Sequence, residues 1–464
     1  MQKNILITLT MCIGLALVFL ASRRLGVWLQ SSDKNRPDQT QLSATQQATL
    51  SDSPIALSEQ EVADGFRLVD GDQGNKMFVH PQSRSWLEVP LPIASTTGDA
   101  DAPLEQAGKP AAAMGYLGPQ ACAECHRNQH LAFVETAHYR TSLPANEENI
   151  LGSFEPTQNQ MNTNQSQLHF EMKTDEQGHF FQDVVFGNLR RSFRADIATG
   201  AGFIGQTYLY WSNDALYQMH VSYFREPDRW VNSPGYVDGT AWYARKVIPK
   251  CVECHTTYME WIPGSDNRYQ KSSTILGVTC ERCHGPGKEH VDFHQRNPNV
   301  KQGRSIVNPS DLSLTQQNDL CAQCHFGSGE RLQPPFLFRP GDRLEDYWNV
   351  EELSGPEEGG VHSSNQLARL KLSECFQQSS DLTCISCHAP HHQERGDIKL
   401  FSTRCIKCHE PPDCGAFEQV GQSISDDCIS CHMPLSADNH LPFESATTVQ
   451  FPKLRDHYIR IEGK

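Results

Sequence analysis

Apolar and polar positions follow several rhythms along the chain, and each predicts a different element. Residues 5–21 are almost wholly apolar, with Lys3 before them and Arg23 and Arg24 after, the pattern of a segment that enters a bilayer. At about the 17-residue lower limit for a span, this run reads either as a retained anchor or as a cleaved export signal, with Cys12 an inert thiol inside it. Residues 29–49 are rich in Gln, Ser, Thr and Asp and read as a polar tether. A weak hairpin is predicted from Phe66 and Leu68, a turn over 70–74 and the return at Met77 to Val79, and a second linker covers 95–113. Residues 120–139 contain no helix breaker and set Leu131, Val134 and His138 along one side, which predicts one helix. The rhythm then changes to period two. Leu168, Phe170 and Met172 alternate with polar residues, a turn at 175–178 leads into Phe180 and Phe181, and aromatic residues crowd 203–243. One hairpin is predicted to turn at Asn213 and Asp214. From 250 to 440 the segments are short and rich in Pro and Gly, so regular structure is expected to be sparse there.

Composition adds two exclusions. The formal charge of the 464 residues is −15, with no basic run of the kind that neutralises phosphates, so nucleic acid is excluded as a partner. With 38% hydrophobic residues, the chain is neither disordered nor a polytopic membrane protein. Cysteine changes the picture most. Of 17 cysteines, fourteen form seven Cys-x-x-Cys pairs, and a His follows every pair: Cys122, Cys125 and His126; Cys251, Cys254 and His255; Cys280, Cys283 and His284; Cys321, Cys324 and His325; Cys384, Cys387 and His388; Cys405, Cys408 and His409; Cys428, Cys431 and His432. Zinc ribbons and dithiol redox sites use such pairs but do not need the His each time. Covalent haem attachment does: both thiols lie on one face of a helical turn, where they form thioethers, and the adjacent imidazole turns onto the iron. The expected cofactor is therefore seven covalently bound haem c groups.

Covalent attachment of haem takes place outside the bacterial cytoplasm, which agrees with an exporting amino terminus and places the chain on the periplasmic side. The textures divide the chain into an anchor or signal at 1–28, a polar linker with a small hairpin at 29–115 and a first haem segment at 116–154. A β-rich insert at 155–247, a six-haem region at 248–440 and a tail at 441–464 follow. About 44 residues per haem are too few for separate domains, so the haems must share one core, and the haem-free chain is not expected to fold.

A sixth ligand is needed at each iron that does not bind substrate. Thirteen His lie outside the motifs. His138 stands about 18 Å beyond His126 if the helix continues, so it is expected to serve a neighbouring haem. His290 or His294 follows the Gly285-Pro286-Gly287 break, His391 and His392 follow Pro390, His362 lies in a Gly-rich approach, and His440 sits just past His432; these supply the other candidates. His169, His179 and His220 read as packing or surface residues, and His80, His130 and His457 as ordinary polar ones. Met433 is on the wrong side of its haem. Cys375 and Cys414 are expected either to pair as a disulfide or to remain two buried thiols.

The segment from Tyr116 to Cys122 with His126 and His138, the run from Gly277 to Gly287 with His290, and Cys428 to Pro434 resemble bacterial multihaem cytochromes c related to the tetrahaem electron acceptor of hydroxylamine oxidoreductase. The resemblance implies a mainly α and irregular multihaem cytochrome c fold organised around stacked haems, with a β-rich insert, and makes His138, His290 and His391 distal ligands. It implies an electron carrier between membrane-side donors and periplasmic acceptors, with redox proteins as partners. The alternative is a haem-dependent oxidoreductase acting on a small nitrogen or sulfur species at one five-coordinate haem, most plausibly the one on His255. The tetratricopeptide repeats of many relatives do not follow here, and no motif carries Lys in place of its His.

Overall fold

A computed structural model describes residues 55–461 except 81, 83, 84, 92–110, 356, 357, 359, 363 and 439–441. The apolar run at 5–21 with Cys12, the tether at 29–49, most of the linker at 95–113 and His440 lie outside the described residues. None of the described helices is long and apolar enough to cross a membrane.

The chain divides into two units, Met1–Arg84 and Ser85–Lys464. In the first, Ser58 and Glu61 cap α1 (Glu59–Ala63) reciprocally, each side chain accepting the other's backbone N–H. β1 (Arg67–Asp70) then pairs antiparallel with β2 (Lys76–Val79), setting Leu68 opposite Phe78.

The second unit contains two packed sheets. β3 (Trp86–Val89) and β4 (Ser142–Pro144) precede a four-stranded meander of β5 (Gln160–Asn162), β6 (Leu168–Thr174), β7 (Phe180–Phe186) and β8 (Leu189–Ala195). The larger sheet places β9 (Ile197–Thr199), β10 (Gly205–Ser212), β11 (Ala215–Phe224) and β12 (Arg229–Asn232) side by side, with β4 outside β9. β10 and β11 turn at Asn213, whose φ is 55°, and Asp214, with Tyr210 facing Tyr217 across the hairpin. Leu168, Phe170 and Met172 point inward from β6, each at most 1% exposed. Phe170 stacks on His220 of β11 at 4.8 Å between ring centres. The Gln182 amide exchanges two hydrogen bonds with the backbone of Val221, which fixes the layers in register. His220 is a packing residue. Its Nδ1 accepts from the Trp242 backbone N–H at 2.9 Å and its Nε2 meets Asn232 Oδ1 at 2.9 Å, so the ring is held as a neutral tautomer.

The expectation of a mainly α fold is overturned: strand and helix take nearly equal shares, 27% and 28%. The reason is twofold. A haem motif requires only one helical turn, so the helices stay short, from the four residues of Cys384–Cys387 to the twelve of Leu314–His325. Strand also enters the six-haem region, where β15 (Thr256–Trp261) and β16 (Tyr269–Leu276) form a hairpin between the second and third motifs; β13 (Ala241–Trp242) and β14 (Arg245–Lys246) lead up to it. The helix expected over 120–139 is broken as well. It splits into Pro119–Ala123 and Arg127–Phe133 at His126, which leaves helical geometry with φ −109° and ψ 43°.

Candidate functional site

All seven motifs stand on helical turns, which put the two thiols of a pair on one side. In the first, fifth, sixth and seventh motifs the His backbone N–H bonds back to the carbonyl of the first Cys, at 2.8 to 3.1 Å. Local sequence starts several of these turns. Pro119 and Pro249 sit at the first helical position, Ser313 and Gln316 form a capping box, and Asp397 caps the helix Ile398–Cys405. Gly285, with φ 83°, ends the third turn and lets the chain double back into Lys288–Arg296.

The motifs are brought together out of sequence order. Thiols of different motifs come close enough to act on one another in four places: Cys122 with Cys280, Cys254 with Cys324, Cys321 with Cys384, and Cys405 with Cys428. Cys283 acts electrostatically on Cys321, and Cys387 on Cys405. The first motif is thus next to the third and the second next to the fourth, while the fourth, fifth, sixth and seventh follow in file.

Imidazole orientation is the decisive geometry. His284 Nδ1 meets the Val307 carbonyl at 2.8 Å, His325 Nδ1 the Gln366 side-chain oxygen at 2.8 Å, and His432 Nδ1 the Arg460 carbonyl at 2.9 Å. His255 Nδ1 meets Thr141 Oγ1 at 2.9 Å. An Nδ1–H donated to an acceptor leaves the Nε2 lone pair free for a metal. Two imidazoles on opposite sides of one iron, at about 2.0 Å per bond and about 1.1 Å from Nε2 to ring centre, have ring centres about 6.2 Å apart. Four pairs meet this spacing: His126 with His290 at 6.3 Å, His138 with His325 at 6.2 Å, His284 with His391 at 6.0 Å, and His388 with His457 at 6.2 Å. His290 Nδ1 meets the Arg304 carbonyl at 2.8 Å, the same orienting bond. Desolvation and the His325 ring push His138 down to about 4, and desolvation and the His388 ring push His457 to about 4, so both are neutral at pH 7, as a ligand must be. The residues present fit haem iron.

Each expected candidate now has a place. His138, His290 and His391 face the imidazole of a motif other than the one nearest in sequence. His362 Nδ1 meets the Ser364 hydroxyl at 2.8 Å and the Ser364 backbone N–H at 3.1 Å. His457, read from sequence as an ordinary polar residue, faces His388. Nothing local in the sequence marked it. Its place is set by Arg369 and Asp456, at most 5% exposed in their side chains, which form a bidentate pair at 2.9 and 2.7 Å. His130 and His294 each carry a buried Nε2 without a hydrogen-bond partner. No imidazole ring is seen facing His255, His409 or His432 among the described residues. Cys375 and Cys414 are not joined: both are free, because Cys375 lies among Cys387, Cys405 and Cys408 while Cys414 faces Cys428.

Two acidic residues inside the motifs were also missed. Glu281, between the cysteines of the third motif, accepts backbone N–H groups from Leu117 at 2.9 Å, Gly118 at 2.7 Å and Gly287 at 2.8 Å, which ties the first motif to the third. Glu253, between the cysteines of the second, takes the Arg331 guanidinium and the Phe336 N–H. Their signal was the intervening residue itself: a buried carboxylate beside two cysteines needs partners.

A family model described as "Cytochrome c554 and c-prime" matches residues 226–285. The multihaem cytochrome MtrA of Shewanella baltica is 24% identical over 200 residues, covering 41% of this chain and 54% of that one. The C-type polyhaem cytochrome OmcC of Geobacter sulfurreducens is 23% identical over 211 residues, 39% of this chain and 25% of that one. The chain is similar to multihaem c-type cytochromes. The chain spans about half the length of the Shewanella relative and a quarter of the Geobacter one. Among solved structures, the outer cell wall cytochrome OcwA superposes with a TM-score of 0.47 at 15% identity, over 75% of this chain and 80% of that one. An undecahaem cytochrome from the S-layer of Carboxydothermus ferrireducens gives 0.37 at 16% identity, over 75% and 52%.

Proposed function

We propose that the chain is a multihaem c-type cytochrome that carries seven haems and moves single electrons along them between a donor on the membrane side and acceptors in the periplasm. The observation that carries this reading is the set of four facing imidazole pairs at 6.0–6.3 Å, a spacing that suits an iron held on both faces. His290, His391, His138 and His457 would hold haem iron together with His126, His284, His325 and His388. Bound haem supplies one-electron iron chemistry, and low potentials follow from imidazole on both sides rather than Met. The protein's part is to space and insulate the irons. The thiol contacts support a relay from the first motif through the third, fourth, fifth and sixth to the seventh, with the second branching from the fourth. A chain of charge −15, to which propionates add, docks basic redox partners in a salt-sensitive way. The apolar segment at 5–21 exports the chain and either anchors it or is removed.

The test is a haem count by intact mass together with EPR of the oxidised protein. Seven haems with at least four low-spin bis-imidazole signals are expected; fewer haems, or a high-spin majority, overturns the reading. One observation favours a second reading. His255 is oriented for iron by Thr141 but has no described imidazole facing it, so its haem is the candidate five-coordinate site for reduction or oxidation of a small nitrogen or sulfur species. Cyanide or nitrite binding to a single high-spin haem, abolished with the second motif, supports that reading; no binding at any haem removes it.

A further inference from the structure

Arg282 lies between the cysteines of the third motif, only 5% exposed, and its Nε is buried without a hydrogen-bond partner. The guanidinium sits over the Phe336 ring at 5.5 Å, and its charge reaches Cys254 of the second motif and Cys324 of the fourth. Nearby carboxylates are already committed. Glu281 holds three backbone N–H groups, and Glu253 holds Arg331 and the Phe336 N–H. Phe336 is itself strained, with φ 62°, and that bond to Glu253 keeps it in place. A buried guanidinium with neither hydrogen bond nor counter-charge is strongly unfavourable, so the site calls for an anionic oxygen group.

We infer that Arg282 binds the carboxylate of a haem propionate at the junction of the second, third and fourth motifs, and as a fixed positive charge raises the reduction potential of the haems that meet there. The inference rests on the haem occupancy proposed above and adds a tuning residue to it. A diffusible oxyanion has the same chemistry as a propionate, and the test separates the two. Reduction adds an electron, so a nearby cation stabilises the reduced iron and its removal lowers the potential.

The experiment is a spectroelectrochemical titration of the full-length, haem-loaded protein and of its Arg282→Gln and Arg282→Lys variants, each with its haem count from intact mass. For Arg282→Gln at full haem count, the reduction equilibrium of at least one haem falls about tenfold, which is about 59 mV for one electron, and Arg282→Lys recovers part of it. Wild-type potentials that are unchanged between anion-poor buffer and added nitrite or phosphate identify the propionate as the partner. Potentials that move with those anions only when Arg282 is present identify the diffusible anion and overturn the propionate assignment. An Arg282→Gln protein with full haem and wild-type potentials overturns the inference. If Arg282→Gln fails to load haem, loading of Arg282→Lys supports a required charge, whereas failure of both points to packing and overturns it. Missing haems at these motifs in the wild type would instead sink the occupancy reading, so the two failures are distinguishable.

Discussion

The proposed ligand that sequence did not mark, His457, is held by a device that can be broken without touching it. Arg369 and Asp456 form two hydrogen bonds in a buried ion pair, and Asp456 also accepts from Arg460 Nη1 at 2.7 Å and from the Tyr458 N–H at 3.0 Å. Arg369→Leu leaves the Asp456 carboxylate buried beside a shorter network. Removing one partner of a buried pair costs about 3–5 kcal/mol, and part of this is recovered here through the Arg460 bond. Other ties hold the segment: Asp456 N–H to the Pro434 carbonyl at 3.0 Å, Ile459 N–H to Ser373 Oγ at 2.8 Å, and Arg460 N–H to the His432 carbonyl at 3.1 Å. The loss therefore falls on local opening of residues 453–461 rather than on global unfolding. A local cost of about 3 kcal/mol raises the open population by about two orders of magnitude, at 1.4 kcal/mol per factor of ten. Hydrogen exchange of this segment should accelerate by that factor. EPR of the oxidised variant should show a high-spin fraction at one haem, approaching the full single-haem signal of His457→Ala. Unchanged exchange with no high-spin signal would refute the argument that this segment carries the sixth ligand of the fifth haem.

Three further outcomes are expected. His138→Ala and His391→Ala should each convert one haem from low to high spin by EPR; an unchanged low-spin spectrum in either would show that the imidazole does not share an iron with its partner ring. Glu281→Ala strips acceptors from three backbone N–H groups, at about 1–3 kcal/mol for each one left unsatisfied, and should lower the thermal transition with the damage centred on the first and third haems; a wild-type transition would contradict the tie between those motifs. Burial pushes His220 down to about 3 against about 6.5 in the unfolded chain. The stability due to its neutral form is thus complete above pH 6.5 and is lost at about 1.4 kcal/mol per pH unit as the pH falls toward 3. Thermal scans at pH 7 and 5 should differ by about 2 kcal/mol more in the wild type than in His220→Gln; parallel curves would refute it.

Legibility in the sequence followed how local the cause was. The seven motifs, the inward set Leu168, Phe170 and Met172, and the hairpin turn at Asn213 and Asp214 each follow from residues a few positions apart, and the structure places the inward set and the hairpin as read. Two errors of fold came from reading one rule too far. The lack of breakers over 120–139 predicts a helix, but turning the His126 imidazole toward a partner takes that residue out of helical geometry. Pro and Gly between 250 and 440 predict irregular chain, yet β15 and β16 carry enough β-branched and aromatic residues, from Thr256 to Leu276, to pair. The proposed ligand set divides the same way. His138, His290 and His391 announce themselves by following a motif. His457 follows none so closely, and only the distant His388 ring beside it and the Arg369–Asp456 pair that holds its neighbour give it a role.

This non-local pairing also explains why the haem-free chain is not expected to fold. Every facing pair joins distant stretches: His126 to His290, His138 to His325, His284 to His391, His388 to His457. Each iron would close a long loop, and the entropy of closing it grows only slowly with loop length, so four such closures are tolerable once metal bonds reward them. Without those bonds the same closures must be offset by protein contacts alone. Around the fifth to seventh motifs these contacts are few, because many thiols and imidazoles are half-buried or exposed, whereas much of the apolar packing lies in the β-sandwich and in the cluster of Leu320, Phe326, Phe338, Leu344, Trp348 and Leu367 beside the fourth motif. The sandwich and the later haem region should therefore part company in an apoprotein: strand signal with protected amides over 168–224, and rapid exchange throughout 384–432. Uniform protection across both would mean that the polypeptide builds the haem region unaided, and the irons would then be passengers in a fold they do not determine.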